Sequence, residues 1–220
     1  MDITSTREGS VAVLRWNEGE NRINLDSLAR LNELLDELEK VEGPLSIVLT
    51  GAGKFFCNGL DLVRFADKRD EFVETLHVLE QTIGRLLVFP AYTVAAINGH
   101  AFAGGALISC AFDYRVMRED RGYWCMNEAE IGLALDERLW SILINRLPRA
   151  TATVAATTAR RFSGPDAMRY GIVEAVASED DVLTHAIAVA ESLASLDRVT
   201  LGLHKRLAHG AEAVFLGFEY

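Results

Sequence analysis

The stretch Ala95–Val116, AAINGHAFAGGALISCAFDYRV, decides the architecture. An apolar run ends at Asn98-Gly99, and a second short run meets Gly104-Gly105 and continues through small residues. The pattern predicts a buried strand over Tyr92–Ile97, a turn at Asn98-Gly99, and a helix over Ala106–Phe112 that Gly104-Gly105 opens. The first N–H groups of a helix have no intrahelical acceptor, so a helix that starts at a strand exit aims backbone donors at whatever lies above the strand. Donors placed in this way can stabilise a developing oxyanion. The same glycines would also serve a close helix-to-strand contact, and this stretch alone supports both readings equally.

Working outward, residues 46–61, SIVLTGAGKFFCNGLD, repeat the arrangement: a strand, a Gly-rich loop and a second turn at Asn58-Gly59. Leu45–Thr50 is short, apolar and bounded by turn residues, as a strand buried on both faces of a parallel sheet is. Val11–Trp16 and Asp113–Met117 read as further strands. Leu25, Leu28, Leu31, Leu34, Leu35 and Leu38 fall at helical spacing behind Asn24 or Asp26 as cap, and Gly43-Pro44 ends that helix. Val63–Val88 reads as one or two helices that Pro90 terminates, and from Asp136 onward the pattern is almost entirely helical, punctuated by Gly164-Pro165, Gly171 and Gly202. Strands alternating with helices mean an α/β layer architecture with right-handed crossovers.

Length and composition bound the rest. A chain of 220 residues, half hydrophobic and a quarter charged, fills one core, and a single domain over 1–220 is expected. The polar start MDITSTREGS and the absence of any run near ~18 apolar residues argue against secretion and membrane spanning. Cys57, Cys110 and Cys125 lack C-x-x-C spacing and read as buried thiols in a reducing compartment. The ending GFEY is no S-K-L signal, so a cytoplasmic location is expected. A net charge of −10 opposes a nucleic-acid partner, which selects a basic face. A smaller anionic ligand needs only local cations, and Arg22, Lys54, Arg64, Lys68 and Arg69 lie beside the loops described above.

Gly51, Gly53, Phe56, Gly59 and Asp61, followed by Ala96, Asn98, Gly99, Gly104, Gly105 and Asp113, resemble the paired signatures of the enoyl-CoA hydratase/isomerase, or crotonase, family. ENRINLDSL at 20–28 and FSGPDAMRYGIVEAV at 162–176 extend the resemblance over most of the chain. It implies a crotonase-like spiral of ββα units over about residues 1–160, with a helical C-terminal region over about 161–220. It also implies a homotrimer or a dimer of trimers. The substrate it implies is a coenzyme A thioester, with no permanently bound cofactor. The Leu60 and Gly104 amides would converge on the thioester carbonyl, and Arg22, Asn58, Leu60 and Asp61 would contact coenzyme A. Asp61 also suits the role of a helix cap.

Family hydratases use two glutamates, and this chain keeps one. The first of those positions falls on Leu107, which cannot accept a proton; the second falls on Glu128 in YWCMNEAEIGL. Without the resemblance Glu128 reads as a solvent-facing carboxylate at a helix start. With it, Glu128 is the base, and Asp136 or Glu137 is the alternative, because some family isomerases carry their carboxylate farther along. Adding water across a double bond needs one group to activate water and another to handle protons, whereas moving a double bond needs a single carboxylate. The expected function is therefore a Δ3,Δ2-enoyl-CoA isomerase of fatty-acid metabolism, of the kind that serves β-oxidation. An enoyl-CoA hydratase and a non-catalytic acyl-CoA-binding paralogue are the alternatives. Glu130 would point away from Glu128, and His100, between Gly99 and Ala101, suits packing better than catalysis. No histidine spacing indicates a metal.

Overall fold

The computed structural model describes residues 3–220. A six-stranded sheet is built from β1 (Ile3–Glu8), β2 (Val11–Trp16), β3 (Ser46–Gly51), β5 (Tyr92–Ile97), β7 (Tyr114–Arg118) and β9 (Ala175–Ala177). These strands lie side by side in that order; β1 is antiparallel to β2 and every other pairing is parallel. Alternation along each strand divides the core into two layers. Val13, Val48, Val94, Ala96 and Val116 face α8 (Val182–Leu193), while Leu14, Ile47, Leu49, Ala95 and Ile97 join the larger core that includes α1 (Leu25–Glu39). Residue period two therefore explains why β3 reads as continuously apolar: both of its faces are covered.

A second sheet, parallel throughout, contains β4 (Phe55–Cys57), β6 (His100–Phe102) and β8 (Trp124–Cys125). Each of its strands follows one strand of the larger sheet and precedes a helix. The repeats are β3-β4-α2 (Arg69–Val88), β5-β6-α3 (Gly104–Cys110) and β7-β8-α4 (Glu128–Ile131). The turns stack on one another, and Asn98 joins two of them: its Oδ1 accepts from Gly51 N at 2.9 Å and its Nδ2 donates to Gly53 O at 3.2 Å. The consequence is that the three ends of the small sheet, and the helices that follow them, open on one side of the molecule.

The structure departs from the sequence reading at several elements. The polar N-terminal segment is an edge strand: only Ile3 of β1 is buried, which leaves little apolar periodicity to read. Asp61 does not cap a long helix. Residues 62–67 are turns, Asp61 Oδ1 accepts from Arg64 N at 3.3 Å, and α2 begins only at Arg69. Among the helices after Asp136 lie a bridge from Phe162 to Trp124 and β9, a three-residue strand whose half-buried side chains carry no strand signature. Gly164-Pro165 opens α7 (Gly164–Arg169) behind the cap Ser163, with proline where its missing N–H costs nothing. Asn24 is the cap of α1, through a reciprocal pair with Ser27. The last helix, α9 (Arg198–Phe215), folds back on α2 of the same chain, with Ala213 against Gly84.

Candidate active site

The loop after β2 and the loop after β4 are bound to each other by backbone hydrogen bonds. Ile23 N donates to Gly59 O at 2.8 Å, Asp61 N donates to Ile23 O at 2.9 Å, and Asn58 N donates to Glu20 O at 3.1 Å. Asn21, fully buried with φ +53°, holds the pair to β4 by donating from Nδ2 to Phe55 O at 2.9 Å. Asparagine tolerates that left-handed conformation because its short amide bonds locally. With its own two neighbours engaged, Leu60 presents an N–H that meets no acceptor among the described residues.

The third loop arrives from β6. Ala103 sits at φ +50° and ψ −119°, a region its Cβ disfavours at a cost of about 1–3 kcal/mol, and is held there by donating to Cys125 O at 2.9 Å. The twist at Ala103 starts α3 at Gly104, whose N–H also meets no acceptor among the described residues. The loops touch: a Cβ on Gly59, which has φ +75°, would stand 2.9 Å from Phe102 O and 3.3 Å from Gly104 N. Glycine is required at 59 both for the positive φ and for this approach.

Leu60, Gly104 and Leu107 line a cavity of about 330 Å³ together with Arg22 and Asn58. Phe72, Leu76 and Leu79 of α2 form one wall, and Ile131, Leu133–Leu135 and Leu139 another. Leu139 belongs to α5 (Glu137–Arg146). Glu128, at the first turn of α4, also faces this cavity. It is 6% exposed, its Oε2 has no hydrogen-bond partner, and burial pushes its carboxyl up to about 7. A carboxylate buried among leucines, in one cavity with two residues whose N–H groups are unengaged, is equipped to take a proton from a carbon acid whose oxygen those donors hold.

Other residues singled out by the sequence divide between this cavity and its surroundings. Arg22 pairs with Glu20, which also accepts from Asn58 Nδ2 at 2.9 Å; the Asn58 amide and then Arg22 hold the Glu20 carboxyl below its usual range. Asp61 lies outside the cavity, in a neighbouring cleft with Glu18, Glu20 and Asn24. Asp136 reaches the cavity rim, but its carboxylate caps α5 by accepting from Leu139 N at 2.9 Å. Glu137 is exposed and does not line the cavity. Glu130 is exposed and forks onto Arg161 at 2.9 and 3.1 Å. Arg64 is taken up by Asp26 and Glu71, and Lys68 by Glu71. His100 packs among Phe55, Phe102 and Tyr123, away from the cavity. The three cysteines are buried and free, with the Cys57 thiol pushed up to about 12 by burial, which removes it as a nucleophile.

Sequence reasoning missed Asn127. It lines the cavity next to Glu128, and its Oδ1 is buried without a partner. Asp113, matched as part of the signature, is structural: its Oδ2 accepts from Thr93 N and Oγ1, both at 2.9 Å, and from the buried Lys205 at 2.8 Å. Among the described residues no cluster of side chains suits a metal ion, and no helix is long and apolar enough to cross a membrane.

Comparison with known proteins places the fold and the family. The enoyl-CoA hydratase/isomerase family model matches residues 6–214. The chain is 31% identical over 188 residues to the peroxisomal enoyl-CoA delta isomerase 2 of Arabidopsis thaliana, covering 81% of this chain and 78% of that one. It is 31% identical over 214 residues to a putative enoyl-CoA hydratase of Thermus thermophilus, covering 93% of this chain and 83% of that one. The crystal structure of human mitochondrial delta3-delta2-enoyl-CoA isomerase superimposes with a TM-score of 0.91 at 25% identity, over 99% of this chain and 86% of that one. The fold is therefore crotonase-like, and the chain belongs to the enoyl-CoA hydratase/isomerase family.

Proposed function

We propose that the protein is a Δ3,Δ2-enoyl-CoA isomerase of fatty-acid metabolism that works with one carboxylate. The observation that carries this reading is the buried Glu128 with its unpartnered oxygen, facing the same cavity as the unengaged Leu60 and Gly104 amides and the apolar Leu107. In this scheme Glu128 takes a proton from C2 of a 3-enoyl-CoA, the two amides hold the dienolate oxygen, and Glu128 returns a proton at C4. Leu107 keeps water from the reacting carbons, and Arg22 and Asn58 meet the coenzyme A moiety at the mouth. Removing one preorganised donor from such a hole typically costs about 3–4 kcal/mol in transition-state stabilisation.

The likeness to the putative Thermus hydratase makes hydration the second reading. Hydration needs another proton-handling group, and the other carboxylate lining the cavity, Asp136, is engaged as a helix cap. Incubation with trans-3-hexenoyl-CoA and, separately, crotonyl-CoA distinguishes the two. Conjugated enoyl-thioester absorbance is expected to appear from the first substrate and to persist with the second. Rapid loss from the second substrate would make the protein a hydratase, and tight coenzyme A binding without turnover of either would make it a silent paralogue.

A base must be ionised to act, so the pH profile follows from Glu128. With its carboxyl raised to about 7, kcat/KM is expected to rise roughly tenfold per pH step below that value and to level above it. A profile flat from pH 5 to 9 would remove Glu128 as the base. The expected homotrimer or dimer of trimers is part of the same proposal; Val199, Leu203, Leu207 and Val214 form one exposed apolar stripe on α9 that supports association.

A further inference from the structure

Glu80 is a buried carboxyl that the proposed chemistry leaves unused. It stands on α2 beside Leu79 and one turn beyond Leu76, both of which line the cavity, and it is 1% exposed. Its Oε2 accepts from Arg138 Nη1 at 3.0 Å and lies 3.5 Å from His77 Nδ1. Its carboxyl also hydrogen-bonds to that of Asp136, on the cavity rim. Two carboxylates cannot bond to each other without a proton between them, so that bond exists only while one of the pair is protonated. Burial, with Asp136 adding to it against the pull of Arg138, raises the Glu80 carboxyl above its ordinary range, which assigns the proton to Glu80.

These bonds span the cavity. α5 packs against α3, α6 (Arg149–Thr158) and α9, but toward α2 it faces the space between Leu76 and Leu79 on one side and Leu135 and Leu139 on the other. Among the described residues Glu80 makes the polar ties between α2 and the start of α5. We infer that Glu80 is a positioning residue for this site: with its proton in place it clasps α2 to α5 and holds the two leucine walls ready for the ligand, and loss of the proton opens the clasp. Ionised, Glu80 and Asp136 are two like charges in contact, and the exposed Asp136 is the one with water to move into. Walls that have to be ordered again when a ligand arrives bind it more weakly. The charged and titratable groups that face Glu80 among the described residues are His77 of its own helix and Arg138 and Asp136 at the start of α5. The clasp needs the proposed function only to say that the ligand is an acyl thioester.

Calorimetric titration with saturated hexanoyl-CoA tests the clasp without turnover. A Glu128→Gln background keeps that carboxyl's own charge out of the pH dependence. In this parent protein binding is expected to weaken about fivefold or more between pH 5 and pH 8, the lower end of a typical coupling between two sites. Glu80→Gln keeps the shape, donates an amide N–H to Asp136, accepts from Arg138 and has no proton to lose, so it is expected to bind as tightly at pH 8 as at pH 5. His77 and Asp136 are present in both proteins, and the difference between them isolates Glu80. Arg138→Met, at a partly exposed position, breaks the clasp at either pH and is expected to bind more weakly than the parent at pH 5. An equal fall in affinity in Glu80→Gln and its parent would overturn the inference, as would a parent affinity that does not change with pH. Absence of hexanoyl-CoA binding at both pH values would overturn it together with the proposed function. If wild-type turnover of trans-3-hexenoyl-CoA is absent while Glu80→Gln removes the pH dependence of binding, the isomerase reading falls and the clasp stands.

Discussion

Glu128→Gln is expected to lower isomerase turnover by roughly 10³-fold or more, since it removes the one group proposed to carry the proton in both directions. The same variant is expected to be the more stable protein at high pH. Glu128 is buried with one oxygen unpartnered, and its carboxyl is raised to about 7 from an ordinary value of 4.5. The folded chain therefore binds this proton more tightly than the unfolded chain does. That contribution to stability is complete below pH 4.5 and is lost as pH rises to 7, reaching about 3 kcal/mol on linkage arithmetic. Glutamine has nearly the same shape and no ionisation, so it escapes the loss. Melting temperatures of the two proteins should agree near pH 4 and separate at pH 8, with the variant higher. Turnover above a tenth of wild type would reject Glu128 as the shuttle, and a wild type equally stable at pH 8 would reject the buried ion.

Gly105→Ala is expected to cost the fold about 3 kcal/mol or more, beyond the usual penalty for one added methyl in a packed core. The new Cβ would stand 2.2 Å from the carbonyl oxygen of Cys57 and 2.7 Å from its Cβ. Both belong to β4, which is paired on its other atoms to β6 and cannot swing aside as a side-chain end can. α3 would have to lift off β4, and the Gly104 amide would move with it. An ångström of displacement at such a donor costs on the order of 10²-fold in rate. At Gly104 itself the added Cβ meets Ile23 Cδ1 at 2.8 Å, the mobile end of a side chain, so Gly104→Ala should destabilise far less. For a chain of this length 3 kcal/mol corresponds to roughly 10 °C in melting temperature. Equal melting losses at 104 and 105 would contradict this account.

The two glycines illustrate where sequence reading stops. Gly104-Gly105 announced a close approach and a helix start, and both are present, but the pair gave no ranking of its members. The tight contact is made between α3 and a strand that lies about fifty residues away in the chain, and only folding brings Cys57 to Gly105. The Asp61 side chain illustrates the same limit from the other direction. The resemblance offered it as a coenzyme A contact and local pattern as a helix cap; in the fold its Oδ1 accepts from Arg64 N in the turn over 62–67, and the residue lines a cleft with Glu18 and Glu20. Asn127 left no periodic trace because it follows a two-residue strand and precedes a one-turn helix.

Local chemistry was enough for the layer architecture. Apolar runs at Leu45–Thr50 and Tyr92–Ile97, separated by the helical pattern of Val63–Val88 and followed by Asn-Gly turns, leave a parallel sheet between helices as the arrangement that buries them. The side chains on which the proposal turns, the carboxylate at 128 and the apolar residue at 107, can be read along the chain, since both are matters of which side chain is present. Burial was not. Glu128 reads along the chain as a solvent-facing helix-start acid, and it becomes a buried group titrating near neutrality because Leu107 of α3, Leu79 of α2 and Leu139 of α5 line the same cavity. A dielectric environment is a property of surroundings that come from three separate helices. The sequence names those residues, and the fold supplies the distances between them.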